Sequence, residues 1–224
     1  MGRPPRNAAA GMVFHVLNRG TTRLRLFAGS GDYRAFEAIL EAACERFPVR
    51  IFAYCLMPTH WHMVLSPDED QALSRFMQWL TLTHVRRWHE HKGSVGLGHV
   101  YQDRFRSFPV QDDGHFLTVC RYVERNALRA GLVGRAQDWQ WCSLWRRESG
   151  PEGSRRMLSD WPVERPDDWP GFVDAAETEA ELAALRAHVQ RGRPFGDERW
   201  SDFAIRKLGL ESTARARGRP RKDG

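Results

Sequence analysis

A chain of 224 residues with 42% hydrophobic side chains can bury one sizeable core plus an appendage, or two small domains. No apolar run reaches membrane-spanning length and no signal peptide is visible, so the chain reads as a reduced, soluble, cytoplasmic protein. The formal charge of +6 is a weak pointer to an anionic partner. The four cysteines, Cys44, Cys55, Cys120 and Cys142, form no CxxC. Three of them fall in apolar periodic runs, where a free thiol packs as a small hydrophobe.

Residues 1–11 are rich in Gly, Pro, Arg and Ala and read as a disordered basic arm. "VFHVLNR" (13–19) alternates as a strand does. In "DYRAFEAILEAACERF" (32–47), Phe36, Ile39, Leu40, Ala43 and Phe47 make one helical stripe, with Asp32 placed to cap it. "VRIFAYCLM" (49–57) is apolar on both faces and rich in strand formers, so it predicts a central strand. Pro58-Thr59 turns the chain into a second strand, "HWHMVLS" (60–66). A long helix follows over 70–93, with Leu73, Phe76, Met77, Leu80, His84 and Trp88 on its stripe. After a Gly-rich loop, "RFRSFPVQ" (104–111) reads as a strand and 112–131 as a helix. Asp112 and Asp113 open that helix and Gly131 closes it.

The order β-α-β-β-α-β-α predicts an α+β fold: a ferredoxin-like (RRM-like) antiparallel sheet with helices packed on one face. Composition shifts near residue 150, and helices are expected at about 174–190 and 197–208. The expected organisation is a main domain over 12–148, a helical C-terminal appendage over 149–212 and a basic tail over 213–224. Trp139, Trp141 and Trp145 are expected to clamp the last segment onto the core. The tail segment "TARARGRPRK" has five cations and no acid, which suits either a polyanion-binding arm or a solubilising one.

Within "CLMPTHWHMVLSP" (55–67), His60 and His62 are i and i+2 on a strand and share a face. Two neutral imidazoles so placed can hold one divalent cation; they can equally be core-edge histidines hydrogen-bonded to backbone. On the late helix the core stripe is Phe116, Val119, Cys120, Val123, Ala127 and Ala130. Tyr122 lies about 100° from its centre, with Asn126 one turn on. Thr118, Arg125 and Arg129 share or border that flank. A phenol, an amide and guanidinium groups on one surface suit phosphodiester chemistry; the same residues also suit an interfacial tyrosine among solvated arginines.

"PTHWH" on a strand, "GHVYQDRFRS" downstream and "YVERNALRAGLV" on the late helix together resemble the REP-associated tyrosine transposases, within the wider family of single-tyrosine HUH transposases. The similarity runs from about Val13 to Trp145, and "RGRPFGDERW" is similar to the C-terminal region of the REP-associated branch. Ala127 stands where that family commonly has proline, a change of backbone shape and not of a functional group. The resemblance implies His60-Trp61-His62 as the histidine triplet, Tyr122 as nucleophile and Asn126 as third ligand to Mg²⁺ or Mn²⁺. It also implies cleavage of single-stranded DNA beside hairpins through a 5′-phosphotyrosine intermediate. Tyr101, in "HVYQDRF", reads as a packing residue.

Candidate DNA contacts are Arg19, Arg104, Arg106, Arg121, Arg125 and Arg129, joined by Arg217 and Arg219 in a tail "RGRP" that resembles an AT-hook core. Monomer and homodimer both fit the sequence. So does a non-catalytic single-stranded nucleic-acid binding module on the same fold. A zinc hydrolase lacks a convincing third ligand.

Overall fold

The fold is given by a computed structural model, which describes residues 8–214. Strands β1 (Val13–Arg19), β2 (Val49–Met57), β3 (His60–Pro67) and β4 (Arg106–Val110) form one antiparallel sheet in the order β2-β3-β1-β4. Helices α1 (Ser30–Arg46) and α2 (Ala72–Lys92) cross over between strands and pack on each other against one face. This is the ferredoxin-like arrangement that the element order predicts.

Both faces of the sheet are covered, not one. Alternation along β3 sends Trp61, Met63 and Leu65 into the core under α1 and α2, and Val64 into a second core under α3 (Gly114–Glu124). The apolar run of β2 demands this, because Ile51, Tyr54 and Leu56 serve the first core while Phe52, Ala53 and Cys55 serve the second. Leaving either face wet would forgo roughly 2 kcal/mol per large side chain.

The late helix is not continuous over 112–131. It runs as α3, passes a joint at Arg125, and continues as α4 (Asn126–Arg129). Gly131, at φ 68°, ends it, and Leu132 N–H reaches back to the Ala127 carbonyl. Ala130 is exposed and leaves the predicted stripe, whereas Phe116, Val119, Cys120, Val123 and Ala127 are fully buried.

Beyond α5 (Ser143–Glu148), the chain forms α6 (Trp169–Asp174), α7 (Glu179–Arg191) and α8 (Glu198–Leu208). The short α6 has no counterpart in the sequence reading. The segment shares the second core: Trp169, Val173, Leu182 and Leu185 are buried in it. It also protects the sheet edges. Phe195 bridges Val110 on β4, while Leu158 and Cys142 bridge Ile51 and Cys55 on β2. Trp139 donates its indole N–H to the Leu56 carbonyl, and Trp141 stacks on Tyr33 at 4.7 Å, so this stretch is held against β2 and α1. No described helix is long and apolar enough to cross a membrane.

Candidate functional site

Because His60 and His62 alternate with Trp61, both project to the face that α3 covers. Their ring centroids are 5.1 Å apart. Tyr122 comes to them from α3, its ring edge-on to His62 at 5.8 Å. Some sixty residues of chain thus close onto one spot.

The end of α3 is pinned by a buried carboxylate. Glu124 takes hydrogen bonds from the Ser143 hydroxyl and from the Trp169 indole N–H, and Ser143 Oγ in turn accepts from the Tyr54 N–H of β2. Burial raises the Glu124 carboxyl above its ordinary range. Ala127, in the first turn of α4, and Cys55 of β2 are both fully buried in the second core. Cys55 is the register partner of His62, so Asn126 is carried to the histidine side of β2.

Both imidazoles are held neutral. Burial, then the charges of Arg129 and Arg19, push His60 down to about 4. Burial, then His15, His60 and Arg129, hold His62 well below the usual imidazole range. Neutral rings keep their lone pairs at pH 7, which is what a metal ligand requires. Thr59 Oγ1 engages His60 Nδ1 at 3.2 Å. The Asn126 amide nitrogen, a hydrogen-bond donor, is buried with no partner in the chain. Among the described residues no three His, Cys, Asp or Glu side chains gather to hold a metal, and Asn126 is the residue that the family resemblance offers as a third donor. In donor chemistry, two neutral imidazoles and one amide oxygen fit Mg²⁺ or Mn²⁺.

Arg129 lies over the Tyr122 ring, its Cζ 4.3 Å from the centroid, and donates to the Tyr122 carbonyl. Arg19 is opposite His60 in the sheet register, and Arg106 is opposite Leu17 on the same face. Arg19, Arg104, Arg106 and Arg186 line one groove beside the histidines. An adjoining cleft of about 720 Å³ shares Asn18, Gln102, Asp103 and Arg104 with it. Arg19 is hydrogen-bonded to Gln102.

The helix arginines are differently placed. Arg121 donates to the carbonyls of Ala175 and Ala176, and Arg125 to those of Val173 and Asp174. Arg129 pairs with Glu177 at 2.6 Å. In this structure these guanidiniums bind the chain's own 173–177 segment, not a groove open to a ligand. Carbonyls at the end of α6 have no intrahelical donor, which is why they attract them. Arg217 and Arg219 lie outside the described residues.

One residue of the site escapes the sequence reading. His15, at the middle of β1, is fully buried, with Nε2 2.9 Å from His62 Nδ1 and its ring 6.3 Å from that of Tyr122. A histidine inside an apolar alternating strand is the signal that marks it. Tyr101, by contrast, lies on the other face, its hydroxyl bonded to Trp61 Nε1 and His84 Nδ1.

Comparison with known proteins bears on the family and the fold. A chain described as a REP-associated tyrosine transposase in Haemophilus influenzae is 23% identical over 124 residues, covering 51% of this chain and 70% of that one. The solved structure of a REP-associated tyrosine transposase bound to a REP hairpin overlays with a TM-score of 0.55 at 18% identity. The overlay covers 80% of this chain and 93% of the other, and establishes a common fold. A transposase structure from Deinococcus radiodurans overlays more loosely, with a TM-score of 0.40 at 14% identity over 55% of this chain and 96% of that one. The profile of the IS200-like transposases matches residues 8–126, more than half of the length, and the chain therefore belongs to the IS200-like transposase family.

Proposed function

We propose that this protein cuts and rejoins single-stranded DNA beside hairpins, with Tyr122 as the nucleophile. The observation that carries the reading is the approach of the Tyr122 ring to His62 at 5.8 Å, on the face where His60 and Asn126 also lie. Hairpin DNA as partner is supported by the relative whose structure holds a REP hairpin.

His60, His62 and Asn126 would hold a divalent cation. Such an ion withdraws charge from a phosphate and helps to align it. The Tyr122 oxygen forms a bond to phosphorus as the bond from phosphorus to the 3′ oxygen breaks. The phenol proton passes to solvent and the 3′ oxygen departs as a hydroxyl, leaving a 5′-phosphotyrosine. The phosphodiester energy is conserved, so a 3′-hydroxyl can attack the linkage and release Tyr122. A phenol suits this reversal because phenolate is a better leaving group than an alkoxide. Arg19, opposite His60 in the sheet register, places positive charge where a phosphate would sit. The groove of Arg19, Arg104, Arg106 and Arg186 continues from there and suits the phosphates of a single strand.

The test is a denaturing gel with end-labelled, hairpin-flanked single strands and Mn²⁺ or Mg²⁺. A covalent protein–DNA band that disappears with chelator is the expected result. Chelator-insensitive binding with no such band would instead establish a non-catalytic binding module.

A further inference from the structure

Nothing in the proposed reaction accounts for His15. It occupies the centre of the sheet, paired in register with Val64 on β3 and Phe108 on β4, and its ring packs on Phe108 at 4.8 Å and on His62 at 5.1 Å. A polar ring is costly to bury in such a place unless it is hydrogen-bonded. Its Nε2 is so bonded, through the 2.9 Å contact with His62 Nδ1.

Two neutral imidazoles in that contact share a single proton, so one ring donates and the other accepts. The contact uses His62 Nδ1, which leaves only Nε2 to face a cation. A cation takes an imidazole nitrogen through its lone pair, so His62 must then carry its proton on Nδ1. His15 Nε2 is in that case the acceptor, and His15 carries its own proton on Nδ1. That atom is buried without a partner. In the opposite arrangement His15 donates, His62 is protonated on Nε2, and the ligand position is closed.

We propose that His15 is a positioning residue, whose Nε2 accepts a hydrogen bond from His62 Nδ1–H and so fixes the ring and the tautomer in which His62 can ligate a divalent cation. The proposal rests on the reading of His62 as a ligand. Ligating histidines commonly give their second N–H to a carboxylate or a carbonyl. A neutral imidazole in that role adds no negative charge to the site, which leaves it open to an anionic phosphate.

The experiment is Mn²⁺ binding to the full chain without DNA, followed by electron paramagnetic resonance, for the wild type, His62→Ala, His15→Phe and His15→Gln. His15→Phe keeps the packing on Phe108 and removes the acceptor; His15→Gln restores an acceptor near the same point. His62→Ala is expected to lose Mn²⁺, His15→Phe to weaken it by about 10–100-fold, and His15→Gln to recover most of that loss. Retained Mn²⁺ affinity in His62→Ala would overturn the ligand reading and this proposal with it. Loss in His62→Ala with unchanged affinity in a folded His15→Phe would overturn the positioning role alone. If His15→Phe does not fold, the nitrogen-15 spectrum of the wild type with Mg²⁺ decides. Protonation of His62 on Nδ1 is expected there, and protonation on Nε2 would overturn the proposal.

Discussion

The two faces of the sheet carry the same kinds of side chain and use them differently. Under α1 and α2, Tyr101 takes the Trp61 indole N–H at 3.1 Å and shares a 2.7 Å hydrogen bond with His84. Under α3, Tyr122 meets His62 and His15 by ring edges, while Asn126 Nδ2 and His15 Nδ1 have no partner. Both sets are buried, and burial holds His84 down to about 4 just as it does His60. Residue type, burial and depressed basicity therefore do not separate a structural cluster from a chemical one. Between these two clusters, the difference is that the Tyr101, Trp61 and His84 atoms are satisfied by one another, while Asn126 Nδ2 and His15 Nδ1 are not.

That contrast can be broken most sharply with two tyrosine variants. Tyr122→Phe should abolish the covalent adduct and cut cleavage by at least about 10³-fold, measured on end-labelled single strands. Tyr101→Phe should leave cleavage intact. Of next largest effect, His60→Ala and His62→Ala should each reduce metal-dependent cleavage by about 100-fold or more, a loss that raised Mn²⁺ partly restores.

Acid should act on both faces. Burial pushes His15, His60 and His84 down to about 3, about 4 and about 4 in the fold, against 6.5 when unperturbed. The unfolded chain therefore binds more protons below pH 6.5, and stability present above that value is lost as pH falls towards 4. Thermal melts from pH 7 to pH 4 should record this decline, and Tyr122→Phe should not change it.

Arginine variants sharpen the comparison between groove and helix. Arg104→Ala should weaken DNA binding and reduce the salt slope by about 1, as loss of one phosphate contact does. Arg125→Ala should instead lower the melting temperature, since it releases the carbonyls of Val173 and Asp174. The smallest expected change is in Tyr101→Phe, a stability loss of about 1–3 kcal/mol from unpaired Trp61 and His84 nitrogens. Urea unfolding measures it.

Much of this was legible in the sequence, for physical reasons that differ by element. The strands over 13–19 and 49–57 follow from alternation and apolar continuity, and their ends coincide with the predicted ones. The pairing of His60 with His62 follows from strand period alone. That Tyr122 should face them rests on three long-range hydrogen bonds, from Ser143 and Trp169 to Glu124 and from Tyr54 N–H to Ser143, which no local pattern encodes. The joint at Arg125 was hidden because its hydrogen bonds remain helical, from Arg125 N–H to Arg121 and from Arg129 N–H to Arg125. The occupation of Arg121, Arg125 and Arg129 by residues 173–177 depends on a return of the chain some fifty residues later. His15 was visible as a histidine in an apolar strand, but its partner sits on a different strand, in a diagonal relation that only the register supplies.

The most direct test of the account is mass spectrometry of the protein after reaction with single-stranded hairpin DNA and nuclease digestion. One nucleotide-bearing peptide is predicted, modified through a 5′-phosphate on Tyr122. A modified peptide containing Tyr101, Tyr33 or Tyr54 instead, or cleaved DNA with no modified peptide at all, would contradict it.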